Sequence, residues 1–167
     1  MTKIITAVFD TRAESEKAIH LLEQAGFNKD HVAMLVSEAT RDTYLVASEG
    51  HDIRTGVEAG VAIGGLSGAL YMGLATAGLL LIPGLNLVVT GALIGGLVGL
   101  GSGAITGGLI GALVGFGVPE QEARLYEEAV RKGAVLIAVE AEDASAADKA
   151  AAILKNTDAQ SIKTRAA

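Results

Sequence analysis

Several residue types are absent or rare in this chain, and each absence excludes a class of protein. There is no cysteine, which excludes a disulfide framework, a cysteine-based zinc site and a thiol nucleophile. With two prolines and no triplet repeat of glycine, the chain is not a collagen. Aromatic residues make up 4 % of the chain, too few for a platform on which nucleic-acid bases stack. The net charge of −6 also argues against nucleic acid as a partner.

One long stretch of the chain lacks charge altogether. Between Glu58 and Glu120 lie 61 residues without a single Asp, Glu, Lys, Arg or His. An uncharged apolar run of about 18 residues or more is a transmembrane candidate. This stretch therefore predicts a segment that is embedded in a membrane.

A predicted turn divides the uncharged stretch into two arms. Pro83, Gly84 and Asn86 form the turn signal, and the arms on either side are Ala59–Ile82 and Leu87–Gly117. As helices, these arms would be about 36 Å and about 46 Å long, because a helix rises about 1.5 Å per residue. The hydrocarbon core of a bilayer is about 30 Å thick, so the first arm can span it with some tilt and the second is too long for one straight span.

Glycine is the residue present in excess, and its positions are periodic. Of the 22 glycines, 19 lie in the range 56–117. Eleven of them recur at intervals of four, the spacing of a helix ridge: Gly56, Gly60, Gly64, Gly68, Gly91, Gly95, Gly99, Gly103, Gly107, Gly111 and Gly115. In water a glycine inside a helix costs about 0.8–1.0 kcal/mol relative to alanine, whereas between membrane helices it permits close approach. The spacing predicts a glycine-zipper hairpin of two helices in a membrane.

The winding of the glycine stripe predicts what it contacts. Each step of four residues advances about 40° around a helix of 3.6 residues per turn, so one partner helix cannot cover the whole stripe of the second arm. We expect a homo-oligomer with several close helix contacts. The alternative is a two-helix hairpin whose stripes face each other without further association.

The two flanks of the uncharged stretch have the same order of elements. The first flank predicts a strand at Ile4–Phe9, a helix that begins with a Thr11–Glu14 capping box, and a strand at Val32–Val36. The second flank predicts, in the same order, a strand, a helix and a weak strand: Ala134–Val139, Ala144–Asn156 and Gln160–Thr164. Two βαβ halves predict an α+β fold of the ferredoxin-like type, split by the helical hairpin. The alternative is a chance similarity between two amphipathic helices.

This order gives three predicted regions. Residues 1–54 form the first half of the ferredoxin-like domain, 55–118 the hairpin, and 119–167 a further helix with the second half. If both halves share one sheet, both ends of the insert emerge on the same side of the membrane. The insert then crosses an even number of times or never fully crosses. All 13 Lys and Arg residues lie in the flanks, which places the domain on the cytoplasmic side by the positive-inside rule.

The segment between Pro119 and Gly133 carries the marks of a helix, with acids in its first turn and bases in its last. We interpret Tyr126 as a residue at the membrane interface, and Arg54 as its counterpart before the insert. The alternative is a ligand or metal patch formed by Tyr126 with Glu127 and Glu128.

The whole pattern resembles a bacterial family of general-stress and low-temperature-induced proteins, whose biochemistry is unassigned and whose ferredoxin-like halves flank a glycine-zipper hairpin. Besides the zipper, the resemblance rests on Val8-Phe9-Asp10, Glu16-Lys17-Ala18-Ile19, Leu22, Gly26-Phe27, Pro119-Glu120, Tyr126-Glu127-Glu128 and Gly133-Ala134-Val135-Leu136. The resemblance implies bacterial origin and a link to stress, and it implies no reaction. Together with the cytoplasmic placement of the domain, it gives the bacterial inner membrane as the expected location.

No catalytic constellation emerges from the sequence. The three histidines are scattered at His20, His31 and His51, and none of them is spaced from another as metal ligands on a helix are. We expect no catalytic residue, no metal and no cofactor. The leading hypothesis is a non-enzymatic membrane protein that self-associates, with lipids and further copies of itself as partners, and that scaffolds, shapes or reinforces membrane. The alternatives are an oligomeric pore or channel, and a ligand-binding regulatory module with a hydrophobic assembly hairpin.

Overall fold

The fold is taken from a computed structural model of the chain. The structure describes residues 2–28, 30–37, 39–40, 80–82, 87–91, 110–111, 113–114 and 118–166. Most of the predicted hairpin region, 55–118, therefore lies outside the described residues.

Six strands and three long helices make up the described part of the chain. In chain order they are β1 (Lys3–Phe9), α1 (Arg12–Gln24), β2 (Val32–Ser37), β3 (Leu80–Ile82), β4 (Leu87–Gly91), α2 (Glu120–Arg131), β5 (Val135–Ala141), α3 (Ala144–Lys155) and β6 (Ser161–Ala166). The strands form one sheet in the order β3-β4-β2-β5-β1-β6, and each strand pairs antiparallel with its neighbours.

The ferredoxin-like prediction is confirmed. The four strands β2-β5-β1-β6 form an antiparallel sheet from the two halves β1-α1-β2 and β5-α3-β6. Strand β5 lies between β1 and β2, so the two halves of the sequence interlock in one sheet. Because of this interlocking, residues far apart in the chain share one hydrophobic core.

Local signals set the ends of α1 as the sequence predicts. The Thr11 hydroxyl accepts a hydrogen bond from the Glu14 backbone N–H, and the Glu14 carboxylate accepts one from the Thr11 backbone N–H. This capping box satisfies two donors that the first turn of a helix leaves without partners. After the C-terminal end of the helix, Gly26 has a φ of 97°, a left-handed conformation that glycine adopts without strain.

The first face of the sheet packs against α1 and α3. Strand β1 contributes Ile5, Ala7 and Phe9, every second residue, as the period of a strand requires. The helices contribute six fully buried side chains: Ala18, Ile19, Leu22, Ala147, Ala150 and Leu154. Their spacing of three or four residues is that of the buried face of an amphipathic helix.

The second face of the sheet is also covered. Helix α2 lies on it with Ala123, Tyr126 and Val130 buried. Leu113 and Val118 join the same cluster, and their sheet partners are Ile4, Val8, Ala33, Leu35, Leu136 and Ala138. Because both faces are buried, the central strands are mainly apolar, and polar residues such as Thr6 in β1 and Glu140 in β5 are exceptions. Ile110, Leu113 and Val118, near the end of the predicted hairpin region, thus contribute to the core of the domain.

The helical prediction is wrong for eight described residues of the insert. Leu80–Ile82 and Leu87–Gly91 are strands that extend the sheet beyond β2. Two physical reasons favour strands here: the run Val88-Val89-Thr90 is β-branched, and the edge of β2 offers backbone hydrogen-bonding groups that need partners. Gly91, the first glycine of the second stripe, is therefore in a strand and not in a helix.

The conformation of Gly26 gives a first prediction. A Cβ at Gly26 would meet no atom within 4 Å, so substitution there strains only the backbone. We expect Gly26→Ala to lower the free energy of unfolding by about 1–2 kcal/mol, the cost of a left-handed conformation for an ordinary residue. Gly26→Asn is the matched control, with a smaller loss because asparagine tolerates this region better. Urea unfolding followed by circular dichroism measures both, and equal stabilities of all three proteins would contradict the prediction.

Candidate assembly site

The residues predicted to mediate assembly lie mostly outside the described part of the chain. Those outside it are Gly56, Gly60, Gly64, Gly68, Gly95, Gly99, Gly103, Gly107 and Gly115, the turn residues Pro83, Gly84 and Asn86, and the predicted interface residue Arg54. Two glycines of the stripes are described. Gly91 ends β4, and Gly111 has helical backbone beside Ile110, which packs against the second-face cluster.

The β3–β4 hairpin, residues 80–82 and 87–91, occupies the edge of the sheet next to β2. Strand β4 pairs with β2 over five residues, from Ala33 opposite Gly91 to Ser37 opposite Leu87. Strand β3 pairs with β4, with Ile82 opposite Leu87. The middle of the uncharged stretch is therefore held on the domain by backbone pairing.

The segment after β2 lies close to the segment between α2 and β5. After β2, the Ser37 Oγ accepts a hydrogen bond from the Thr40 backbone N–H at 3.1 Å and lies 2.7 Å from the Thr40 Oγ1. The Thr40 Oγ1 in turn lies 3.8 Å from the position that a Cβ on Gly133 would take, just before β5. Thr40 and Gly133 thus bring both boundaries of the region 41–132 to one end of the sheet.

Tyr126, which the sequence places at the membrane interface, is buried in the domain. The side chain is 5 % exposed and belongs to the second-face cluster. Its hydroxyl lies 3.3 Å from the Thr6 Oγ1 in a buried hydrogen bond across 120 residues of sequence. A buried tyrosine needs such a partner for its hydroxyl, and Thr6 supplies one from β1. Tyr126 therefore fastens α2 to the sheet.

The outward surface of α2 is covered with ion pairs between residues four apart. Glu120 pairs with Arg124 at 2.6 Å, Glu127 with Arg131 at 2.9 Å and Glu128 with Lys132 at 2.6 Å. The hydrogen bond from Lys132 and its positive charge lower the pKa of Glu128. Ion pairs that are exposed to water contribute little to stability.

The ion pairs are relevant to the alternative in which Tyr126, Glu127 and Glu128 form a ligand or metal patch. Since Glu127 and Glu128 pair with different cations and Tyr126 is buried beneath the helix, the three residues do not converge on one point.

A fourth ion pair joins α2 to the last strand. Arg165 on β6 donates to the Glu122 carboxylate, and both side chains are largely buried. Within the described residues, the Nε of Arg165 is buried without a hydrogen-bond partner. The pair ties the C-terminal strand to the helix on the second face, in addition to the apolar contacts there.

One shallow cavity of about 580 Å³ lies beside α2 and the start of β5. Its lining contains Asp10, Leu125, Glu128 and Lys132, together with two alanines. Leu125 is 64 % exposed at its rim. The polar groups there belong to surface side chains, two of which, Glu128 and Lys132, are already paired with each other.

The described histidines have local structural partners. The Nε2 of His20 lies 2.9 Å from the Gln24 amide nitrogen, and the Nδ1 of His31 accepts a hydrogen bond from the Asn28 backbone N–H. Across the described ranges, no group of three or more His, Cys, Asp or Glu side chains is placed to hold a metal ion.

No helix within the described residues combines the length and the apolar character that a membrane span requires. Comparisons of the chain with protein-family models, with curated proteins and with solved structures found no match. The class that the geometry defines is an α+β protein with a ferredoxin-like sheet covered by helices on both faces.

Proposed function

We propose that this protein is a non-enzymatic, membrane-associated protein that assembles with copies of itself and thereby scaffolds or reinforces membrane. The proposal rests foremost on the 61 uncharged residues between Glu58 and Glu120, which the ferredoxin-like domain carries as an insert. Removing such a length of apolar chain from water is favourable by about 25 cal/mol for each Å² buried. Lipid and the matching segments of other copies are two environments in which this apolar segment can be removed from water.

Chain on both sides of the glycine-rich segment belongs to the domain: Thr40, before it, lies against Ser37, and Ile110, after it, packs against the second-face cluster. This supports a role for the domain as a base from which the uncharged segment meets a membrane. Since all 13 Lys and Arg residues lie outside the uncharged stretch, the proposal places the domain on the cytoplasmic side. The resemblance to bacterial general-stress proteins supports the inner membrane as the location and a link to stress.

Flotation of the full chain with lipid vesicles in a density gradient tests the proposal. We expect the protein to float with the vesicles and to be released by detergent. Because aggregated protein does not rise with lipid, flotation distinguishes binding to the vesicles from aggregation. Recovery of the wild-type chain as a water-soluble particle at the bottom of the gradient would overturn the proposal.

A matched pair of variants shows whether the uncharged segment is responsible. Leu97→Lys with Leu100→Lys is expected to abolish flotation, because a lysine in the centre of a membrane segment costs about 2.5–3.5 kcal/mol. Alanine at the same two positions preserves the apolar character and is expected to float like the wild type.

A further inference from the structure

The β3–β4 hairpin limits how far the uncharged stretch can reach while it is paired with β2. Thr40 and Leu80 both belong to the domain, and the longest uncharged run within the 39 residues between them has 21 residues, 59–79. Gly91 and Ile110 also belong to the domain, and only 18 residues join them. A segment that crosses a bilayer and returns needs about 40 apolar residues, two spans of about 20. Neither connection is long enough.

Release of the hairpin removes this limit. With β3 and β4 free of β2, the uncharged residues 59–109 form a single connection of 51 residues. This exceeds the roughly 40 residues that two crossings require. The β2–β4 pairing therefore decides whether the chain is long enough to cross a bilayer and return.

The hairpin has the features of an element that can detach. Strand β3 has three residues and β4 has five, and they lie at the edge of the sheet. Strands β2, β5, β1 and β6 pair with one another without it. Short elements at the edge of a sheet open at lower free energy than its central strands do.

The two edges of the sheet differ in a way that supports detachment. At the opposite edge, β6 carries the exposed Lys163, a charge of the kind that protects an edge strand from wrong pairing. Leu80–Ile82 and Leu87–Gly91 carry no charge at all. Uncharged residues of this kind can leave the sheet for lipid more readily than charged residues can.

We propose that the β3–β4 hairpin is a releasable strap. Paired with β2, it keeps the uncharged stretch from crossing the bilayer, and once released it allows the stretch to insert fully. This inference rests on the proposed membrane association and adds the step that separates surface binding from insertion.

A disulfide between β2 and β4 tests the strap in the full-length protein. Ser37 and Leu87 are opposite each other in the antiparallel pair, and Cβ atoms of such partners lie about 4.5–5.5 Å apart, close to disulfide distance. Because the chain has no cysteine of its own, Ser37→Cys with Leu87→Cys yields one defined bond. Val8→Cys with Ser161→Cys is the matched control, which links β1 to β6 at the opposite edge.

The readout is flotation on vesicles of phosphatidylethanolamine and phosphatidylglycerol, before and after an alkaline carbonate wash that removes peripheral proteins. We expect the oxidised strap variant to float but to be washed off at least about tenfold more completely than its reduced form. The control variant is expected to resist the wash in both redox states. This result would show that a disulfide elsewhere in the sheet does not change resistance to the wash.

Resistance of the oxidised strap variant to the wash, with the bond verified on a non-reducing gel, would overturn the strap and leave membrane association intact. Failure of all variants and of the wild type to float would overturn membrane association itself, and the strap with it. The two failures are therefore distinguishable.

Discussion

Replacing Tyr126 by alanine is expected to lower the free energy of unfolding by about 3–5 kcal/mol, the usual loss for an aromatic side chain removed from a core. The ring is packed between α2 and the sheet, and its removal also leaves the buried Thr6 hydroxyl without its partner. Urea unfolding of the wild type and the variant, followed by circular dichroism, gives the difference directly.

Two control variants separate the contributions of Tyr126. Tyr126→Phe keeps the ring and removes the hydroxyl, so we expect a loss of about 1–2 kcal/mol from the broken hydrogen bond alone. Leu125→Ala changes the next residue of the same helix, which is exposed, and is expected to change stability by less than about 0.5 kcal/mol. A stable Tyr126→Ala variant with weakened vesicle binding would contradict burial and restore the interface interpretation.

Replacing Gly99, Gly103 and Gly107 together by leucine is expected to dissociate the proposed oligomer. Leucine side chains on the stripe keep helices from the close approach that small residues four apart allow. These three positions lie outside the described residues, so the expectation rests on their spacing in the sequence. Light scattering of the protein solubilised in detergent measures the mass of the particle, which we expect to fall to that of one chain.

The control for this variant uses three glycines of the same segment that lie off the stripe. Gly96, Gly101 and Gly108 replaced by leucine add the same volume and hydrophobicity without placing it on the four-residue spacing. We expect this variant to keep the mass of the wild type. An unchanged mass of the stripe variant would remove the glycine spacing as the basis of assembly.

The ferredoxin-like half of the fold was predictable because its signals are local. The capping box of Thr11 and Glu14 acts within a few residues and appears where the sequence predicts it, and the conformation of Gly26 and the burial of Ala18 and Leu22 agree with the predicted helix. Strand β5 was predicted at Ala134–Val139 and occupies Val135–Ala141, a difference of the size that helix and strand ends usually show.

The errors arose where distant residues compete for one segment. Glycine spacing and apolar character predicted helix at Leu87–Gly91, but the free edge of β2, some 50 residues earlier, pairs with that segment as a strand. The β-branched run Val88-Val89-Thr90 was the one local signal that pointed to this outcome.

The burial of Tyr126 and of Leu113 and Val118 likewise depends on distant residues, so the local sequence does not predict it. A tyrosine beside two glutamates is typical of an exposed helix face, and only the position of Thr6 on β1 shows where its hydroxyl finds a partner. Leu113 and Val118 adjoin a glycine-rich segment, and it is the otherwise uncovered second face of the sheet that buries them.

The amino-acid sequence by itself determined the α+β class, the βαβ order of each half, the position of the 61 uncharged residues and the periodic glycines within them. Composition and spacing suffice for these properties because they depend on neighbouring residues. Only the tertiary structure decided that α2 covers the second face and that β3 and β4 pair with β2. Those outcomes depend on which buried surface and which backbone hydrogen-bonding groups remain free after the local elements have formed, and distant parts of the chain compete for both.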